Sequence, residues 1–394
     1  MLRLSRLSFL TVAVAGALAV SACTPRVTTT GGQTPPTGSS TPTQGQVDVT
    51  QPVTVALLAP MSGSRAADLG KALGNAARMA ASDAGDPLLK LRIYDTGGNA
   101  GKARAAAEQA VRDGAKLIAG PLFGANTKAI RSTAAAGNVN VISFSTDSSA
   151  AGGPIYLSGF LPEKASQRIL QFARTRGYGA LGVFYPDTPY GRVANKGAQT
   201  VGGALVAATA YDRSQEGIPP AARDFAANVK ATGANGLLVA ESGQALNFVV
   251  SQLSQQGLSR RGYKYLGLGE WNSRSVFEST QLRGAWFPAP EPEAMNGFVN
   301  RYKKAFKDVP PPLAMLSYDG IQIAAQLLAD ARRTGSGDPF GARALTRPQG
   351  FRGVVGPVRF GPDGLADRGL AILQIDEGKF TVIQNAPPVL GAGS

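Results

Sequence analysis

The chain predicts an α/β fold of two lobes, each a parallel sheet flanked by helices, with a cleft between them. Two observations carry this. From Val53 onward short β-rich runs alternate with helix-period segments, and strand–helix–strand alternation at that spacing calls for a parallel sheet covered on both faces. The alternation then restarts near Ala180, so two similar units follow one another. In the first unit strands are expected at 53–60, 88–95, 116–121 and 139–145, around helices at 68–83, 102–113 and 126–136. Leu69, Leu73, Ala76 and Ala80 fall on one face of the first helix. In the second unit strands are expected at 180–187, 204–212, 236–242 and 264–270. Its helices start at Tyr190, cover 221–232, and end at Gln256. The remainder reads as helices at 292–307 and 313–333, then strands at 354–360, 369–376 and 379–384. Turn signals at Gly361-Pro362-Asp363-Gly364 and Asp376-Glu377-Gly378 separate those strands.

The N-terminal stretch has a different character. Arg3 and Arg6 precede an apolar run from Leu7 to Val20, and small residues lead to Cys23, the one cysteine in 394 residues. A basic start, a short apolar core and small residues at the end make a secretory signal peptide, and the run is short for a membrane span. A cysteine at the expected cleavage point resembles a bacterial lipoprotein signal, which implies residues 1–22 as signal and lipid attachment at Cys23. Residues 24 to about 50 are rich in Thr, Pro, Gly, Gln and Ser without apolar periodicity, a disordered tether reaching roughly 30 Å as a flexible coil. Thr24 is not the aspartate that holds many lipoproteins at the inner membrane, so the resemblance favours the outer membrane on its periplasmic side. The reading divides the chain into a lipidated tether at 23–52, a folded domain at 53–388 and a tail at 389–394.

Composition removes several classes of chemistry. With no histidine, Ser-His-Asp and Cys-His nucleophilic catalysis are excluded, and most zinc chemistry with them; no metal or cofactor is implied. The net charge of +14 becomes +12 once Arg3 and Arg6 leave with the signal (14 − 2). Basic balance often points to nucleic acid. An exported address and scattered cations argue against it, leaving anionic lipid, cell-wall polymer, an acidic protein surface, or a solvated face without a role. One such face is the helix segment Arg301-Tyr302-Lys303-Lys304.

Gly177-Tyr178-Gly179-Ala180-Leu181-Gly182 has dinucleotide-motif spacing, but a helix precedes it and a strand follows. The polarity is the reverse of a pyrophosphate loop, so it reads as a helix stop.

Ligands of open parallel sheets collect beyond the carboxyl ends of the strands. Those ends carry Ser62 and Ser64, Asp95, then Phe123 with Asn126 and Thr127, then Ser143, Ser145 and Asp147. In the second unit they carry Tyr190, Glu241 and Glu270. Hydroxyls, amides and helix N-termini suit a small polar or anionic group. Singly, such residues also cap helices. Together they make a candidate ligand cleft.

Several blocks resemble the type I periplasmic binding proteins of the leucine-binding kind. These are Val55-Ala56-Leu57-Leu58-Ala59-Pro60-Met61-Ser62-Gly63, Tyr94-Asp95-Thr96-Gly97-Gly98, Ala119-Gly120-Pro121-Leu122-Phe123 and Val141-Ile142-Ser143-Phe144-Ser145. Residues 351–364 resemble that family's closing hairpin. The resemblance implies two Rossmann-like lobes joined by three hinge crossings around an inter-lobe cleft. Lobe one would be 53–160 with 286–340, and lobe two 161–285 with 341–388. It further implies that Tyr190 lines the pocket and that Glu270 pairs with a ligand ammonium. The family's first-loop aromatic falls on Leu69, its ligand-carboxylate serines on Gly124-Ala125-Asn126 with Thr127 kept, a later threonine on Asp147, and a lobe-two tyrosine near Glu241 or Ser242. A carboxylate at Asp147 repels a ligand carboxylate.

The blocks around Pro60, Asp95, Pro121 and Ser143 look closest to lipoproteins called penicillin-binding protein activators. That resemblance implies a non-enzymatic partner of a cell-wall synthase (a penicillin-binding protein). The alternative is the binding lipoprotein of an ABC importer, which hands a small amino-acid-like ligand to an ABC permease.

Overall fold

A computed structural model describes residues 46–63 and 66–390. The signal segment, Cys23, most of the tether, Ser64 and residues 391–394 lie outside the described residues.

Lobe one is built in chain order from β1 (Val53–Ala59), α1 (Ala67–Ala84), β2 (Leu89–Asp95), α2 (Ala100–Arg112), β3 (Leu117–Ala119), α3 (Gly124–Ala136), β4 (Asn140–Ser143) and β5 (Ile155–Leu157). Its five strands run parallel in the order β2-β1-β3-β4-β5. Apolar side chains on both faces of β1 explain why helices cover both. Val55 and Leu57 join one core with α1, while Ala56 and Leu58 join another with α2 and α3. Alanine-rich faces let these helices lie close. At Gly70 the approach is closest, since a Cβ there would stand 2.1 Å from the Pro60 carbonyl oxygen. β5 follows Gly152-Gly153-Pro154 and is too short to carry a periodic signal of its own.

Lobe two comprises α4 (Pro162–Thr175), β6 (Leu181–Pro186), α5 (Pro189–Gln199), β7 (Leu205–Tyr211), α6 (Ile218–Thr232), β8 (Gly236–Val239), α7 (Gly243–Gln255), β9 (Lys264–Leu266), α8 (Arg274–Phe277) and β10 (Trp286–Ala289). α4 ends just before Gly177, which has φ +91°, and β6 begins at Leu181. The glycine motif is therefore a helix stop leading into a strand.

The chain then returns to lobe one as α9 (Pro292–Phe306), α10 (Ala314–Thr334), α11 (Ala342–Leu345) and a small antiparallel sheet of β11 (Phe351–Gly353), β12 (Gly356–Phe360) and β13 (Ala366–Arg368). It finishes in lobe two as β14 (Ala371–Ile375) and β15 (Phe380–Gln384), giving a seven-stranded sheet ordered β15-β14-β10-β9-β8-β6-β7.

Two expected lobe boundaries move. Residue 286 does not open lobe one, because β10 pairs with β9 and β14 inside the lobe-two sheet. Nor do residues from 341 belong to lobe two: Phe351, Val355, Val358, Phe360 and Ala366 pack into the same core as Leu57, Leu73 and Ile323. The alternating apolar positions of the small sheet need a hydrophobic partner, and α10 supplies it. Three segments thus cross between the lobes, at 158–161, 290–291 and 369–370. Tyr302 is fully buried and Arg301 pairs with Asp83 at 2.5 Å, so only Lys303 and Lys304 of that basic segment present a free cationic face.

Candidate functional site

All three crossings wall a cavity of about 290 Å³. Gly159, Phe160 and Leu161 come from the first, Pro290 from the second with Pro288 of β10 beside it, and Leu370 from the third with Arg368 at the end of β13. Met295, Leu313 and Met315 close it from lobe one, and Glu270 and Asn272 from lobe two. The wall is mainly apolar, with one carboxylate, Glu270, and two cations, Lys164 and Arg368, that are paired with Asp367 and Asp319.

That carboxylate stands on a 3-10 turn, Gly269–Trp271, directly after β9. The turn is pinned from behind by the fully buried Trp271, whose Nε1 donates to the Glu241 carbonyl at 2.9 Å. Tyr190 Oη donates to Glu270 Oε2 at 2.6 Å. Tyr190 is placed by the first turn of α5, where Thr188 Oγ1 accepts from the Gly191 amide at 3.2 Å. Glu270 is solvent-accessible through the cavity, yet the protein crowded around the cleft pushes its carboxyl above the usual range, against the Tyr190 hydrogen bond. Burial and the neighbouring Glu270 charge push the Tyr190 phenol up, keeping it a donor. The result is an oriented anionic acceptor facing an apolar chamber.

The other expected cleft residues are committed elsewhere. Asp95 Oδ1 accepts from the amides of Met61, Ser62 and Gly97 at 2.8–3.1 Å. Partial burial opposes its charge, but these bonds hold its carboxyl below the usual range. It braces the loop that carries Ser62. Thr127 and Ser143 are buried against each other at 2.8 Å, and both also reach main-chain carbonyls, of Phe123 and Pro121. Ser145, also buried, accepts from the Asp147 amide at 3.0 Å. Asp147 pairs with Lys128 at 2.8 Å and accepts from Ser149. Phe123 is 37% exposed at the N-cap of α3, whereas Asn126 is buried with its Nδ2 unpartnered among the described residues.

Glu241 is held by partners within the protein. It is buried, and its carboxylate accepts from Tyr211, from Arg213 twice, and from the Ser242 amide, at 2.7–3.0 Å. The fork of Arg213 arrives from the end of β7, a juxtaposition that spacing along the chain does not reveal. Of the expected set, Glu270 lines the cavity and Tyr190 backs it.

The periplasmic binding protein family matches residues 52–379. The chain belongs to that family. Its fold is the type I, leucine-binding-like one, as solved structures show. A branched-chain amino acid ABC transporter protein from Rhodospirillum rubrum superposes with a TM-score of 0.71 at 17% identity, covering 84% of this chain and 99% of the other. A leucine-binding protein from Thermotoga maritima gives 0.57 at 19%, covering 85% and 99%. An ABC-transporter solute-binding protein from Rhodopseudomonas palustris, solved with 3,4-dihydroxybenzoic acid, gives 0.57 at 21%, covering 85% and 96%. No curated protein sequence matches the chain.

Within this periplasmic binding protein the cavity walls were the part that sequence reading missed. Phe160-Leu161-Pro162 leads into the proline-started α4, and Pro288-Ala289-Pro290 closes β10 just before the proline-started α9. Apolar residues beside a proline at such a junction are the only local sign of a hinge segment.

Proposed function

We propose that this periplasmic binding protein is the solute receptor of an ABC importer and closes its lobes over a small amine-bearing solute. The carrying observation is the Tyr190–Glu270 pair on the wall of a mainly apolar chamber, whose lining cations Lys164 and Arg368 are each already paired with a carboxylate. A cation entering there meets a preoriented carboxylate, and closure of the lobes over it would expel water and strengthen the attraction. The chamber, about 290 Å³, is at the small end of ligand pockets. Contacts made to both lobes only in the closed state would drive hinge closure. The relatives, named as ABC transporter substrate-binding proteins, support this reading. The protein would do no chemistry on its cargo. Lipid at Cys23 would hold it on the periplasmic side of a membrane, and the mass of the mature N-terminus checks that anchor.

One observation favours a second reading, a regulator of cell-wall synthesis like the penicillin-binding protein activators. The side chain of Asp147 lies against Gly124 at the first turn of α3 and is paired with Lys128. By the family resemblance a ligand carboxylate would be held there. This arrangement disfavours free α-amino acids, the cargo expected of an ordinary leucine-binding-type importer.

A thermal-shift screen against amines, amino acids, short peptides and cell-wall fragments separates the readings. A ligand at one hundred times its Kd stabilises by about 2.7 kcal/mol. A shift with an amine that disappears in Glu270→Gln is the expected result. A flat response, together with capture of a penicillin-binding synthase, would favour the regulator.

A further inference from the structure

A second cavity adjoins the first, sharing Lys164 and Arg368 with it, and has a volume of about 320 Å³. Its character is the opposite: amide side chains of Gln167, Gln171, Gln384 and Asn385 wall it, with Pro387 and Leu390 at one side. Three cations line it, Lys164, Arg168 and Arg368, against Asp367.

Two of those cations are already neutralised. Lys164 pairs with Asp367 at 2.7 Å, and Asp367 also receives Arg359 at 3.1 Å. Arg368 pairs with the buried Asp319 at 3.2 Å and donates twice to the Ser158 carbonyl. Arg168 differs. Its Nη2 donates to Gln384 Oε1 at 2.7 Å and, at 3.4 Å, to the Leu370 carbonyl. Both partners are neutral. Burial alone pulls its pKa down, with no carboxylate opposing it. A half-buried guanidinium with no counter-charge among the described residues is costly to hold, and its planar fork matches a carboxylate.

We propose that this cavity is a second ligand site, separate from the cleft, that binds a small carboxylate anion on Arg168 with its polar remainder among the glutamine and asparagine amides. One uncompensated positive charge matches one carboxylate. The amide walls match a hydroxyl or amide group on the same molecule. The site is walled by α4 of lobe two and by β13, which packs with lobe one, so its occupant would touch both sides of the third crossing.

The test is calorimetric titration of the full chain with N-acetylglycine, which carries one carboxylate and one amide, alongside inorganic phosphate. Saturable binding of N-acetylglycine is expected, weakened at least about tenfold in Arg168→Gln and only partly in Arg168→Lys, which keeps the charge. Melting curves of both variants report whether the fold survives. Glu270→Gln, which alters the cleft alone, should leave this binding unchanged. The proposal is overturned if no probe binds saturably, if a folded Arg168→Gln protein binds as the parent does, or if Glu270→Gln removes the binding.

Discussion

Arg368→Ala lowers folding stability by about 3–5 kcal/mol, the usual cost of stranding one member of a buried ion pair. Arg368 is 9% exposed and Asp319 is fully buried. The guanidinium ties three places together: Asp319 on α10, the Ser158 carbonyl in the first crossing, and the face of Phe160 at 5.5 Å. Removing it leaves Asp319 with main-chain donors such as the Val354 amide at 2.6 Å, and leaves the Ser158 carbonyl without these donors. Burial already raises the Asp319 carboxyl, with Arg368 pulling it down. Without that pull the folded-state pKa rises further above its unfolded value. The folded variant then holds a proton that the unfolded chain releases, so its deficit is full only above that raised pKa. The deficit shrinks as pH falls from there to the ordinary carboxylate range, where both states are protonated. Denaturant unfolding at about pH 7 and about pH 4 checks this. Arg368→Met with Asp319→Asn, which buries no charge, should recover much of the loss. A variant with single-site stability equal to the parent would show that the pair does not hold the hinge.

Gly267→Ala is the second large effect. A Cβ at Gly267 would stand 1.9–2.3 Å from three indole carbons of Trp271. The ring is fully buried and hydrogen-bonded to the Glu241 carbonyl, so it cannot swing aside without losing both. Overpacking of this kind costs about 1–3 kcal/mol. It also displaces the turn that carries Glu270, so ligand affinity should fall together with thermal stability. Thermal unfolding and ligand titration on one preparation read both. A Gly267→Ala protein with unchanged melting and binding would mean that the indole has freedom that its contacts deny.

Much of this was legible in the chain because the lobes are made of elements with strong local signals. β1 and α1 are marked by an apolar run and by Leu69, Leu73, Ala76 and Ala80 at helical spacing, and both formed where the pattern placed them. Gly177 reads as a helix stop because polarity, not glycine spacing, decides what such a motif does. The crossings were harder. Trp286-Phe287-Pro288-Ala289 is four residues long, and its place in the lobe-two sheet comes from pairing with β14, more than eighty residues later. The small sheet β11–β13 goes to lobe one because α10 offers it an apolar face. The site was legible in type more than in position. Asp95, Thr127, Ser143 and Glu241 are polar residues at strand ends, as a ligand cleft requires, but they equally satisfy loop amides and one another. Only tertiary partners such as Arg213 tell those uses apart. Glu270 was singled out by the family resemblance around Leu268-Gly269-Glu270, and it does line the cavity.

The most direct measurement is calorimetric titration of the strongest amine from the thermal-shift screen into the parent protein and Glu270→Gln. Loss of a charge-assisted hydrogen bond predicts an affinity at least about tenfold lower in the variant, with unchanged melting of the unliganded protein. Equal affinities in the two proteins would contradict a solute held on Glu270 between the lobes.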